Sequence, residues 1–195
     1  MITALNLEAL SLQRGERLLL RDFGLTVTAG EAVALTGPNG AGKTSLLRAI
    51  AGFIAPQAGR IAFHGAAGEL DAAEARCADV HLVGHQDGLK PSRSARDELG
   101  FAVDWTGGDA ARAEGAAADL GLTPLLDLAV RHLSAGQRRR LALARLVASP
   151  RALWLLDEPL APLDAVHRVR LGELMAAHLA TGGLVIAAVH DPLPI

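Results

Sequence analysis

Apolar residues recur along this chain in two periods, and the periods predict its elements. Ala4 to Leu12 alternates loosely, with Leu5, Leu7, Ala9 and Leu12 apolar, and a turn follows at Arg14-Gly15-Glu16. The pattern resumes over Leu18–Leu20 and Phe23–Thr28, which predicts short antiparallel strands. Ala32 to Leu35 is one unbroken apolar run, as for a buried strand, and after it Leu46, Leu47 and Ile50 recur at helical spacing up to a stop at Gly52. Arg60 to Phe63 reads as a further strand after the turn at Ala58-Gly59, and Ala78 to Gly84 as a buried strand that delivers Gln86 into a loop. From Pro91 to about Val130 the chain is Ala-rich and mostly helical, broken at Gly107-Gly108 and Gly121. A capped helix runs from Ser134 to about Ala148, and the apolar strands Ala152–Leu156 and Leu184–Val189 come late. Strands alternating with helices predict an α/β fold whose sheet is parallel at its centre and covered on both faces.

Between the strand at 32–35 and the helix after it stands GPNGAGKT, residues 37 to 44. Gly37, four residues, then Gly42-Lys43-Thr44 is the spacing of a phosphate-binding loop. Its backbone N–H groups (Pro38 has none; Asn39, Gly40 and Ala41 do) converge on an anion at the positive end of a helix dipole. Lys43 then meets the β- and γ-phosphates, and Thr44 offers its hydroxyl to Mg²⁺. The chain has 21 glycines but only two lysines, Lys43 and Lys90. A chance match in such a composition is roughly one in several hundred before the strand and helix context is counted.

Two further stretches carry chemistry. ALWLLDE, 152 to 158, places Asp157 and Glu158 at the carboxyl end of a strand, the edge at which open α/β sheets bind ligands. Asp157 is suited to hold Mg²⁺ and Glu158 to polarise an attacking water. Leu133-Ser134-Ala135-Gly136-Gln137 opens a helix with a capping box between Ser134 and Gln137. The same glycine-containing start is a second anion site, which suggests that it serves a neighbour's γ-phosphate. Arg138, Arg139 and Arg140 read as a solvated helix face.

Composition narrows the class. The 195 residues are 50% hydrophobic, enough for one substantial core with a small second lobe. A net charge of −2 offers no general attraction to nucleic acid. Apolar runs such as Leu184–Val189 fall far short of the roughly 20 residues a membrane helix needs. No signal peptide opens the chain, and a lone Cys77 fits a reducing cytosol, so the expectation is one soluble domain. Cys77, His81 and His85 are spaced by four, but the local pattern reads as strand, where that spacing gives a row and not a closed metal cluster.

GPNGAGKT, Gln86, LSAGQ, LLDEP, Leu163-Asp164 and His190 follow the order and spacing of ATP-binding-cassette ATPases, and the resemblance covers nearly the whole chain. It implies a P-loop NTPase core with a small N-terminal antiparallel β subdomain and an inserted helical subdomain. The core lobe would cover about 1–86 and 146–195, and the helical lobe about 87–145. It makes Gln86 the coupling-loop glutamine, a catalytic and Mg²⁺-side residue, and Ser134 the signature serine. Asp164 becomes the dimer-facing aspartate, and His190 the sensor of the γ-phosphate. It implies ATP and Mg²⁺, membrane-embedded partner subunits, a second ATPase chain on ATP binding, no nucleic acid and no direct insertion in lipid. The place of work would be the cytoplasmic side of a bacterial inner membrane.

More narrowly, GHQDGLK at 84–90, LSAGQRRRLALARL at 133–146 and LWLLDEPLAPLD at 153–164 resemble the ATP-binding subunits of haem exporters in cytochrome c maturation. Such a subunit drives haem export or the release of a haem-loaded carrier. The other reading is the ATPase of a different exporter. A DNA-repair cassette would need a long coiled-coil insertion, a ribosome-acting one two cassettes in one chain, and a GTPase an Asn-Lys-x-Asp motif. The chain departs from the family in three places. Arg14 stands where an aromatic residue usually stacks on adenine, Pro162 replaces a small residue, and the chain ends five residues after His190, which implies a shortened last element.

Overall fold

The computed structural model describes residues 1–107 and 109–195; Gly108, part of the break expected at Gly107-Gly108, lies outside the described residues. The chain divides into two compact units. The first takes Met1–Gly84, Arg151–Glu158 and Met175–Leu193, and the second His85–Pro150, Pro159–Leu174 and Pro194–Ile195.

The first unit holds two four-stranded sheets. Strands β1 (Ala4–Arg14) and β2 (Arg17–Thr28) form the expected hairpin, with Arg14 opposite Arg17 at its tip. Strand β3 (Ala32–Leu35) leads to helix α1 (Lys43–Ile50), and β4 (Ala58–Gly65) and β5 (Gly68–Leu70) follow. The antiparallel sheet runs β2-β1-β4-β5. Where β1 bulges between Glu8 and Ser11, Ala9 takes φ 47° and Gly59 of β4 φ 85°. A Cβ on Gly59 would strike the carbonyls of Glu8 and Ala9, so that crossing admits only glycine.

Helix α2 (Ala72–Asp79) and β5 are elements that the apolar pattern did not predict. Asp71 caps α2 by accepting from the amides of Ala73 and Glu74, both at 2.9 Å. The helix takes Ala78 and Asp79, so the strand expected from Ala78 begins only at Val80, as β6 (Val80–Val83). With β7 (Leu153–Asp157) and β8 (Leu184–Ala188) it completes a wholly parallel sheet in the order β3-β8-β7-β6. Every residue of β7 and β8 is buried, which is why both read as unbroken apolar runs. Leu5, Leu10, Leu47, Ile50, Phe63, Leu155 and Ile186 join one core, and each such side chain contributes about 1.5–3 kcal/mol of burial.

The last part of helix α6 (Ala165–Ala180) belongs to this unit and carries His178. The imidazole stacks on Trp154, centroids 3.9 Å apart and 7° from parallel, and its Nε2–H donates to the Ala152 carbonyl at 3.1 Å. Gly183 leaves the ring room, since a Cβ there would overlap it. Burial holds the His178 pKa below its ordinary 6.5, against the weaker opposing pull of the Ala152 and Leu184 hydrogen bonds. The folded chain therefore binds fewer protons than the unfolded chain below that value. His178 favours folding above about pH 6.5 and loses that contribution as the pH falls through its folded pKa. His178→Phe keeps the stack and removes the titration, so the fall in melting temperature from about pH 7.5 to 5.5 is expected to be shallower than in the parent. Parallel slopes would exclude His178 as a source of the acid sensitivity.

The second unit is helical. Helix α3 (Ala95–Thr106) is capped by Ser94, whose Oγ accepts from Asp97 N at 3.0 Å, and ends on Gly107 at φ 68°. Helix α4 (Ala110–Asp119) is capped by Asp109, and Gly121 follows it at φ 61°. Helix α5 (Ala135–Ala148) opens on Ser134 with a full capping box. The first part of α6 starts at Asp164, which accepts from the His167 amide at 2.9 Å. Among the described residues no helix is long and apolar enough to cross a membrane.

Candidate nucleotide-binding and hydrolytic site

The parallel sheet of the first unit arranges the chemistry by register. Leu35 pairs with Ala188, and Ala188 with Asp157, so β3, β8 and β7 end on one row. The phosphate loop leaves β3 from that row, Glu158 leaves β7 and His190 leaves β8. Three stretches far apart in sequence thus meet at one carboxyl edge.

Within the loop, Gly37, Gly40 and Gly42 take φ 136°, 78° and 98°. Gly42 is the N-cap of α1 with no side chain to satisfy the first amides, and the first turn has no acidic residue. Those amides are left for an anion. A Cβ on Gly42 would also come within 3.1 Å of Leu19 Cβ, so the hairpin of β1 and β2 packs directly on the loop. Lys43 Nζ folds back onto the carbonyls of Gly37 at 2.5 Å and Pro38 at 3.3 Å.

Thr44 Oγ1 donates to Asp157 Oδ1 at 3.1 Å across a sequence separation of 113 residues. The Asp157 side chain is buried at the end of β7. A hydroxyl and a carboxylate in contact are the hard oxygen donors that Mg²⁺ takes beside waters and phosphate oxygens, so the pair fits that ion. Glu158 has φ 49°, a left-handed conformation rare outside glycine, and its amide donates to the Ala188 carbonyl at 2.9 Å. This strain at the first residue past the strand aims the carboxylate away from the chain's extended course. His190 Nε2 lies 3.4 Å from Glu158 Oε1. Arg14 stands at the exposed end of the β1–β2 hairpin, across from Arg17.

The remaining expected residues belong to the second unit. Ser134 Oγ accepts from Gln137 N at 3.2 Å, and Gln137 Oε1 accepts from Ser134 N at 2.7 Å, so both polar ends of LSAGQ are spent on the helix start. Gly136 is needed for close approach, because a Cβ there would lie 2.9 Å from the Pro162 carbonyl. Asp164, beyond Pro162, accepts from both the amide and Nδ1 of His167, the latter at 2.7 Å, and these hydrogen bonds hold its carboxyl below the usual aspartate range. Gln86 lies in the irregular segment after β6 and directly precedes Asp87.

Two expectations need correcting. Arg138 to Arg140 are not a solvated face. Arg138 Nη1 donates to Leu133 O at 2.6 Å, and Arg140 Nη1 to Leu120 O at 2.6 Å. Arg139 is 2% exposed and pairs with Asp87 at 3.0 Å. The signal was in the period: residues 139, 142, 143 and 146 share one helical stripe, and the last three are Ala, Leu and Leu. Cys77, His81 and His85 are not a run along one strand either, because Cys77 is in α2 and His81 in β6. Among the described residues no group of three His, Cys, Asp or Glu could hold a metal.

Residues 20–161 match the family model described as ABC transporter. Over 182 residues the chain is 47% identical to the cytochrome c biogenesis ATP-binding export protein CcmA of Rhodopseudomonas palustris strain BisB5, covering 93% of this chain and 89% of the relative. It is 50% identical to the protein of that name from strain BisB18, with the same coverage. Among solved structures, an ATP-binding subunit of an ABC transporter aligns with a TM-score of 0.84 at 25% identity, covering 96% of this chain and 80% of the other.

Proposed function

From the premise that this chain belongs to the ABC transporter family, we propose that it is the ATP-hydrolysing subunit of a haem exporter serving c-type cytochrome biogenesis. The observation that carries the chemistry is the single carboxyl edge that holds Lys43 and Thr44, Asp157, and the Glu158–His190 pair. The export assignment is supported by relatives of nearly full length that bear a cytochrome c biogenesis export name.

In this reading the amides of Asn39 to Thr44 cradle the ATP phosphates and Lys43 meets the β- and γ-phosphates. Thr44 and Asp157 would hold Mg²⁺, with Gln86 the further residue proposed for it, and the ion would supply charge neutralisation at the phosphate oxygens. Glu158 orients a water and takes its proton as the water oxygen bonds to the γ-phosphorus and the bond to the β–γ bridging oxygen breaks. His190 meets the γ-phosphate and steadies the Glu158 carboxylate. Ser134, Ala135, Gly136 and Gln137, with Asp164, face the nucleotide of a second ATPase chain. Arg14 lies beneath the adenine as a planar cation in place of an aromatic ring. Turnover drives haem export or release of a haem-loaded carrier through membrane-embedded subunits, and the chain sits peripherally on the cytoplasmic face of the inner membrane.

The test is recruitment. Expressed with haem-exporter membrane subunits, the chain is expected in the membrane fraction; without them it should stay in the supernatant and leave anionic vesicles bare. We propose that docking runs near residues 86–98, as in the family the chain resembles, and the contacts there guide the choice of side chain to change. Arg93 is tied to Glu98 and stacks on Phe101, and Arg96 pairs with Asp127, so reversing either charge would disturb the unit itself. Trp105, outside that stretch but on helix α3, which begins within it, is 78% exposed and stacked with Phe101, and it is the cleaner probe. Trp105→Glu is expected to cut recruitment about tenfold and leave ATP hydrolysis by the isolated chain unchanged. Equal sedimentation with bare vesicles, or none with the subunits, would refute the exporter assignment.

A further inference from the structure

We propose that Arg139 and Arg145 of the signature helix are positioning residues for Gln86, which they hold through a two-point clamp on Asp87. The inference rests on the reading of Gln86 as the glutamine on the Mg²⁺ side of the nucleotide.

Residues 84–90 form neither strand nor helix, so no backbone ladder fixes the loop that carries Gln86. Two side chains of α5 hold it at Asp87. Arg139 Nη1 donates to the Asp87 carboxylate at 3.0 Å, and Arg145 Nη2 donates to the Asp87 carbonyl at 2.7 Å. One contact fixes the side chain and the other the main chain, one residue from Gln86. The two together determine both position and peptide orientation, which a single ion pair would not.

The arrangement is costly, and the cost argues for a purpose. Arg139 occupies the apolar stripe of α5, where leucine would pack without desolvating a charge. Arg145 is half-buried; desolvation pulls its pKa down, helped by the neighbouring Arg139 cation, and Glu98 and Asp87 oppose that pull. Glu98 of α3 is itself only 5% exposed. Asp87 from the loop is thus shared by two guanidinium groups of α5, which repel each other, while Glu98 of α3 also pairs with Arg93. Because α5 begins at Ser134, the clamp makes the glutamine loop and the signature start one mechanical piece. A γ-phosphate that engages Ser134 then acts on Gln86 without an intervening flexible joint.

The experiment uses the full chain with Asp87→Asn, which keeps the carbonyl contact and removes the charge, together with Arg139→Gln, Arg139→Lys, Gln86→Ala and the double variant Gln86→Ala/Asp87→Asn. Amide exchange over 84–90 in the nucleotide-free protein is expected to quicken about tenfold in Asp87→Asn and Arg139→Gln, with β7 and β8 unchanged and Arg139→Lys near the parent. Turnover should fall about tenfold in Asp87→Asn with KM for ATP within about twofold. The double variant should be no slower than Gln86→Ala, since a group acting through another adds nothing once that other is gone. Arg139→Gln carries the same readouts if Asp87→Asn folds poorly. Unchanged exchange, exchange raised throughout the chain, or additive losses in the double variant would each overturn the clamp. Gln86→Ala at the parent rate would overturn the role of Gln86, and the clamp's purpose with it. Slow Gln86→Ala beside fully active Asp87→Asn would overturn the clamp alone.

Discussion

The Glu158→Gln chain is expected to bind ATP as the parent does and to hydrolyse it about 10²–10⁴-fold more slowly, the usual worth of a positioned general base. The amide is nearly isosteric with the carboxylate, so the unusual backbone at φ 49° and the bond from its N–H to Ala188 O are both retained. His190, 3.4 Å from the carboxylate, keeps a polar neighbour. What goes is the capacity to accept a proton from water. A trapped nucleotide also reveals the composition of the site. If Ser134 and Gly136 complete a partner's site, light scattering should give a dimer mass with ATP and a monomer mass without it. A mass indifferent to ATP would reject the shared site, and parent-like turnover would reject Glu158 as base. Gly136→Asp is a poor companion test, because a Cβ there already lies 2.9 Å from Pro162 O of the same chain. A loss of dimer could then come from a distorted loop as easily as from a repelled phosphate.

Legibility in this sequence followed where the physics is local. The buried parallel strands show as unbroken runs because both of their faces are covered, and the phosphate loop shows because three glycine positions and one lysine are each required by backbone geometry or charge. Helix α2 was hidden, since its signal is a single Asp71 cap ahead of a short Ala-rich stretch that borders a strand without a break. The bonds between Thr44 and Asp157 and between Asp87 and Arg139 were illegible as contacts. Each residue type is explicable locally, and only the register of the parallel sheet or the packing of α5 brings the partners together. Arg139 was hidden by its neighbours: three consecutive arginines read as solvent-facing, although a helix turns 100° per residue and cannot point three neighbours the same way. The strain at Glu158 was likewise invisible, because nothing in the residue type announces a positive φ.

Lys43→Ala is expected to lose most nucleotide affinity. A charge-assisted contact to phosphate is worth about 1.5–3 kcal/mol, which is about 10- to 150-fold in Kd. The ammonium also bonds the carbonyls of Gly37 and Pro38, the opening residues of its own loop. Two effects therefore follow from its removal, a lost phosphate partner and a looser loop, and they separate by ligand. Loosening of the loop weakens ATP and ADP alike, whereas loss of the phosphate contact weakens ATP more, since only ATP offers both the β- and γ-oxygens. The core beneath the loop, with Leu46, Leu47 and Ile50 of α1 packed into the first unit, does not depend on the lysine. The melting temperature of the nucleotide-free variant should consequently stay close to the parent's, while the stabilisation on adding ATP disappears, as mass action requires when the affinity is lost. Calorimetric titration of both nucleotides, with the thermal shift beside it, checks all three statements. ATP affinity within about twofold of the parent would show that the loop binds no nucleotide phosphate through this lysine.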